Sequence, residues 1–210
     1  FFLINFSTAK IQSNCSDGGK VIWDVEEIGI NGWKGINGIG VGLIDSGVKS
    51  IISDGNVIPQ LSANLIIDSE RVTLTNGTQT EISLLSGKYT VKLENSSSTS
   101  AKISIGGSAK EVKIKEINRI GSLDVFLTNT NLELQSAEFL IGEKNIKVTS
   151  DENPYVLNVY ANKTYLFELN SASNSNAIVK VSNCEKGVIQ VINTTQSQSL
   201  NNSSEIFMGK

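Results

Sequence analysis

The stretch VTLTNGTQTEISLLSGKYTVKLENSSSTSAKISI, residues 72–105, decides the fold class of this chain. Apolar residues alternate with polar ones at 80–85, 88–94 and 101–105, the period-two signature of half-buried strands. Asn76-Gly77 and Ser86-Gly87 stand between them, residue types that supply the positive backbone angles of tight turns. The stretch can be laid on IKVTSDENPYVLNVYANKTYLFELNSASNSNAIVKV, residues 146–181. Lys88 then falls near Lys163, Tyr89 near Tyr165, Leu93 near Leu169, and Asn95-Ser96 on Asn170-Ser171. In both segments two strands flank a turn and a Ser/Asn-rich loop leads to one more strand, the mark of a repeated unit.

The pattern extends outward in both directions. Upstream, strand-like runs occupy 48–52, 56–61, 63–67 and 71–75; downstream they continue at 111–117, 123–128, 132–140, 144–149, 155–160, 164–169, 177–182 and 187–192. No apolar period of 3.6 residues persists for three turns, so helices are not expected. Seven glycines between 29 and 47 predict turns, bulges or close backbone approaches within sheets. The expected fold is all-β: one or two immunoglobulin- or pilin-like β-sandwich domains, at 13–117 and 118–196, with a polar C-terminal tail at 197–210.

Composition narrows the function. The 210 residues carry a net charge of -3 and no histidine, which leaves no basic face for nucleic acid and no imidazole for a metal or a general base. No run is long enough for a transmembrane helix, and the absence of an initiator methionine reads as processing. Eight triplets fit the N-glycosylation signature, at Asn5, Asn14, Asn76, Asn95, Asn162, Asn193, Asn201 and Asn202. Such acceptors belong on the surface of an exported protein, and N-linked glycans are the only added groups expected; no cofactor is implied. Cys15 and Cys184 stand nearly the whole chain apart. In an oxidising compartment they are expected to pair, stabilising the fold by about 5 kcal/mol through the loop they close.

Residues 1–12, FFLINFSTAKIQ, form a separate element, an extended strand with Phe2, Ile4 and Phe6 on one side and Asn5, Ser7 and Ala9 on the other. A strand with one apolar face needs a groove. The reading adopted is a donor strand that leaves its own subunit and completes a neighbour's sheet, so that copies of this chain are the partners. The alternatives are a first strand of its own domain, in a monomeric surface-layer or adhesive module, and the end of a signal peptide.

One enzymatic motif competes. Leu43-Ile44-Asp45-Ser46-Gly47 resembles the aspartic-protease signature, in which an aspartate on a tight turn shares a proton with a second one. Its nearest partner, Ile66-Ile67-Asp68-Ser69-Glu70, has Glu where the motif needs glycine, and Leu140-Ile141-Gly142 lies far downstream. Asp-Ser-Gly is also a common turn, so no catalytic residue is assigned and a structural role is expected.

Taken together, the alternating start FFLINF with its sequon at Asn5, the Asn/Ser/Thr-rich β body, the single cysteine pair and the lack of histidine form a recognisable set. The chain resembles the subunits of extracellular filaments called threads, made by thermoacidophilic archaea of the Sulfolobus group. The resemblance implies a pilin-like β-fold, head-to-tail joining by donor-strand complementation and heavy glycosylation. It also implies a cell-surface location, with neither catalysis nor a soluble cofactor.

Overall fold

A computed structural model describes residues 11–53, 55–150, 154–159 and 163–193. Every regular element among them is a β-strand. These are β1 (Ile11–Cys15), β2 (Val21–Gly29), β3 (Trp33–Ile36), β4 (Ile39–Ser53), β5 (Asn56–Thr75), β6 (Gln79–Leu84), β7 (Gly87–Ser96) and β8 (Ser100–Ile105). They continue as β9 (Ser108–Lys113), β10 (Ile117–Ile120), β11 (Leu123–Asn131), β12 (Ser136–Thr149), β13 (Tyr155–Val159), β14 (Lys163–Ala172), β15 (Asn176–Cys184) and β16 (Ile189–Asn193). The expectation of an all-β chain holds. Gly55 and Gly77 take positive φ, as tight turns require.

Several runs that read as separate strands are continuous. The segments 56–61, 63–67 and 71–75 are one strand, β5, and 136–149 is another, β12. The two pair antiparallel from Ser62↔Thr149 to Thr75↔Ser136 with no slip. They form the centre of a six-stranded sheet ordered β10-β11-β12-β5-β4-β3. The remaining sheets are ordered β13-β14-β15-β2, β6-β7-β8-β9 and β1-β16.

Each four-stranded sheet packs on one end of the central sheet. Along β5 the core positions are odd up to Ile67 (Ala63, Leu65, Ile67) and even beyond it (Val72, Leu74). β12 makes the same switch, from Ala137, Phe139 and Ile141 to Ile146 and Val148. The switch falls where the ladder passes over Asp68 and Glu143, Asp68 having a positive φ, so each long strand serves one core with its first half and another with its second. The proximal core joins Leu43, Leu65 and Ile67 to Phe167, Val179 and Val181, and the distal core joins Val125, Leu127 and Phe139 to Val91, Leu93 and Ile103. Ile44, Ile66, Phe126 and Leu140 alternate with those core residues, point away from both, and form a small third cluster at the waist.

Both cores draw on residues either side of position 117, so the expected division into 13–117 and 118–196 does not describe how the chain packs. The reason is a duplication whose halves are exchanged. Ile28, Ile36, Ile39, Val41 and Leu43 correspond to Val112, Ile120, Leu123, Val125 and Leu127, each 84 residues on. Asn31 and Lys115 share a positive φ, and their backbone N–H groups donate to Leu43 and Leu127, again 84 apart. In the later part of each unit the spacing is 76: Tyr89 to Tyr165, Ala101 to Ala177, Ile103 to Val179. The β7–β8 and β14–β15 pairs carry bulges at Leu93/Asn95 and Leu169/Ser171, also 76 apart. Ser97 and Ser173 close the two hairpins alike, with Oγ accepting the N–H of Ser100 and of Asn176. The units thus run β2–β8 and β9–β15, and each core takes the front of one and the back of the other.

Candidate functional site

Cys15 and Cys184 form the expected disulfide, with Cα atoms 5.7 Å apart. Cys15 ends β1 and pairs in register with Ile189; Cys184 ends β15 and pairs with Val21. Ser16 reinforces the junction, its N–H donating to the Val188 carbonyl and its Oγ accepting the Val188 N–H. The chain leaving β1 toward residue 10 is therefore fastened covalently to the proximal half. Phe2, Ile4 and Phe6 lie outside the described residues.

The predicted glycan acceptors fall into distinct settings. Asn14 on β1 and Asn95 on β7 are exposed, Asn95 at the bulge of its strand. Asn76 is in its turn, half-buried, with Oδ1 accepting from Ser96. Asn193 ends β16 opposite Ile11. Asn5, Asn162, Asn201 and Asn202 lie outside the described residues.

The waist brings carboxylates together. Asp68 takes a positive φ of 48° and is 4% exposed. Burial pushes its carboxyl up to about 6; the Leu85 N–H, donating at 2.8 Å, works against that, while Glu143 and then Glu70 push it further up. Glu70 accepts from the Ser83 N–H, and Trp33 Nε1 donates to the Ser69 carbonyl at 2.7 Å. Gly40 permits that approach, since a Cβ there would meet the Ser69 carbonyl group and come within 2.9 Å of Trp33 Nε1. Trp33, Gly40, Asp68, Glu70, Arg71 and Leu85 line an open cleft of about 400 Å³. Asp45 is not part of this group: it is exposed on β4 and registers with Asn64, four residues before Asp68. Four residues of strand span about 13 Å, too far for two carboxyls to share a proton. Among the described residues, no cluster of three or more metal-ligating side chains occurs and no helix is long and apolar enough to cross a membrane.

Among the described residues there is also an exposed apolar feature that the sequence did not flag. β12 ends at Thr149↔Ser62, but β4 and β5 stay paired as a two-stranded ribbon from Val48↔Leu61 to Ser53↔Asn56. Directly opposed residues share a face, so Val48, Leu61, Pro59, Ile52 and Val57 lie together with Ser50. Ile52 is 79% exposed, Val57 69% and Val48 47%. β3 covers the outer edge of β4 only as far as Gly42, so among the described residues β4 has a strand partner on one side alone from Asp45 to Ser53. The second unit has no counterpart. Leu43 pairs with Leu65 across 21 intervening residues, whereas Leu127 pairs with Phe139 across 11, so the ribbon is a ten-residue enlargement of one hairpin. Comparing hairpin lengths between the repeats would have exposed it, had the front halves of the units been matched by sequence.

No protein-family model, curated protein or solved structure matches this chain.

Proposed function

We propose that this chain is a structural subunit of an extracellular, glycosylated filament, assembled head to tail when the N-terminal strand of one copy completes the sheet of the next. The observation that carries the reading is the Cys15–Cys184 bridge, which stands at the foot of the alternating segment and ties it to a strand of the proximal half. A strand that holds a neighbour transmits tension, and a covalent bond at its root keeps that tension from peeling β1 off its own subunit. Period two lets Phe2, Ile4 and Phe6 enter pockets while Asn5 and its glycan face outward. Each fully buried apolar side chain would contribute about 1.5 to 3 kcal/mol, and each backbone bond roughly 0.5 to 1.5 kcal/mol net. A heterologous contact of this kind does not close on itself and so propagates. Exposed Asn14 and Asn95 would carry sugar on the fibre surface, and the two exchanged units would act as immunoglobulin-like sandwiches.

Electron microscopy of the purified full chain tests the proposal. Long fibres are expected from the native chain. The Phe2→Asp, Ile4→Asp variant should keep its melting temperature yet remain monomeric by light scattering. Normal fibres from that variant would overturn the donor role.

A further inference from the structure

Resting on that reading, we infer that the β4–β5 ribbon is the receiving surface: residues 1–10 of a second copy pair as an added strand along the free edge of β4, from Asp45 to Ser53. Three observations converge on it. The ribbon is peculiar to one of two otherwise matching units, so the folding of the unit does not account for it. It exposes a contiguous apolar face beside an unpaired edge, the combination that invites another strand. Residues 1–9 carry no charged side chain and the edge carries only Asp45 and Lys49, so pairing buries little charge.

The side chains also fit. With Phe2, Ile4 and Phe6 on one face, an added strand would extend the surface formed by Val48, Ile52, Val57 and Leu61, turning a two-stranded ribbon into a three-stranded sheet with one continuous apolar face. Isolated ribbons are marginal and three strands are not. A bilayer is the poorer occupant, because the apolar residues stand behind a polar tip, Ser53-Asp54-Gly55-Asn56, that would have to enter the hydrocarbon first. The arrangement is also directional. The ribbon leaves the body near Ser46, whose Oγ donates to the Asn176 carbonyl at the start of β15, whereas the N-terminal segment is anchored at Cys184 at its end. Nine residues of strand put these points about 27 Å apart. Donor and receiver thus sit at opposite ends of the proximal half, as a head-to-tail joint requires.

The test uses two full-length variants. Phe2→Asp with Ile4→Asp disables donation; Ile52→Lys with Val57→Glu, an opposed pair of unlike charges that leaves the hairpin intact, disables reception. Each alone should be monomeric in size-exclusion chromatography with light scattering, with unchanged melting. Mixed in equal amounts, they should form a heterodimer that grows no further, because one member can only give and the other only receive. Fibres from the ribbon variant, with the donor variant still monomeric, would overturn the ribbon as receiver and leave donor exchange standing. Fibres from the donor variant would overturn both. As a check that does not perturb the apolar face, a short bismaleimide should link copies carrying Ser7→Cys to copies carrying Ser50→Cys; assembled fibres that give no such link would also overturn the assignment.

Discussion

The proximal and distal halves are built on one plan and finished differently. Each stacks a four-stranded sheet on one end of the central sheet, with the same bulges and the same serine-closed hairpins. The distal half is assembled from one uninterrupted stretch between the middle of β5 and the middle of β12, and needs no covalent help. The proximal half gathers strands from both ends of the chain, is stapled by the disulfide, and carries the ribbon. Even the approaches to the waist differ. Where the first unit has Gly40 pressed on the Ser69 carbonyl, the second has Asp124, 84 residues on, accepting the Asn145 N–H at 2.7 Å and pairing with Arg119. What is shared is what the fold requires, and what differs is confined to the disulfide, the ribbon and the approaches to the waist.

The strongest way to break the likeness is to remove the staple. Replacing Cys15 and Cys184 by serine should cost about 5 kcal/mol, from the loop of 169 residues that the bridge closes. Hydrogen exchange should show the loss concentrated in β2 and β15, with β7 and β8 little changed; equal losses in both would mean the bridge supports the whole molecule alike. Next in size, Phe139→Ala in the distal core and Phe167→Ala in the proximal one, both fully buried, should each cost about 3 to 5 kcal/mol. Because β5 and β12 run through both cores, each variant should still unfold in one transition in denaturant. Two resolved transitions would show that the halves fold independently.

A smaller effect is expected at the waist. A Cβ on Gly142 would collide with Ile66 Cγ2 and stand 2.7 Å from Ser69 Cβ and 2.9 Å from the Ile67 carbonyl oxygen. Gly142→Ala should therefore destabilise by about 1 to 3 kcal/mol through overpacking, measurable as a lower melting temperature. The subtlest is a pH dependence. Asp68 titrates near 6 when folded against 3.8 when unfolded, so the folded chain binds the extra proton between those values. Its contribution is fully present below about pH 4, falls as pH rises to 6 and is flat above. Asp68→Asn should remove that component; a melting profile across pH 4 to 7 identical to the native one would show that Asp68 does not set it.

Much of this was legible in the residues themselves. Alternation at 80–105 and 146–181 revealed the strands and the later part of the repeat, because Tyr89/Tyr165 and Leu93/Leu169 share both type and spacing. The earlier part escaped notice. Residues 28–43 and 112–127 share only an apolar rhythm, and the glycines of the first hide it. The exchange between units was invisible for a different reason: which sheet a strand faces is a tertiary choice that period two does not encode. One clue was present, the passage from odd to even apolar positions between Ile67 and Val72, but a break between two strands explains it equally well in sequence alone. The exposed ribbon was the hardest to see, since Val48, Ile52 and Val57 look like any core residues until no described residue is found to cover them.

The long ladder between β5 and β12, interrupted only at Asp68 and Glu143, has a mechanical meaning. A load drawn along these strands would meet 13 register-matched positions in shear, so that many bonds share it at once instead of opening in succession like a zip. Neither half could then stretch away from the other without sliding the same two strands past each other. If the chain is a filament link, as proposed, that is the difference between a rope and a chain of hinges.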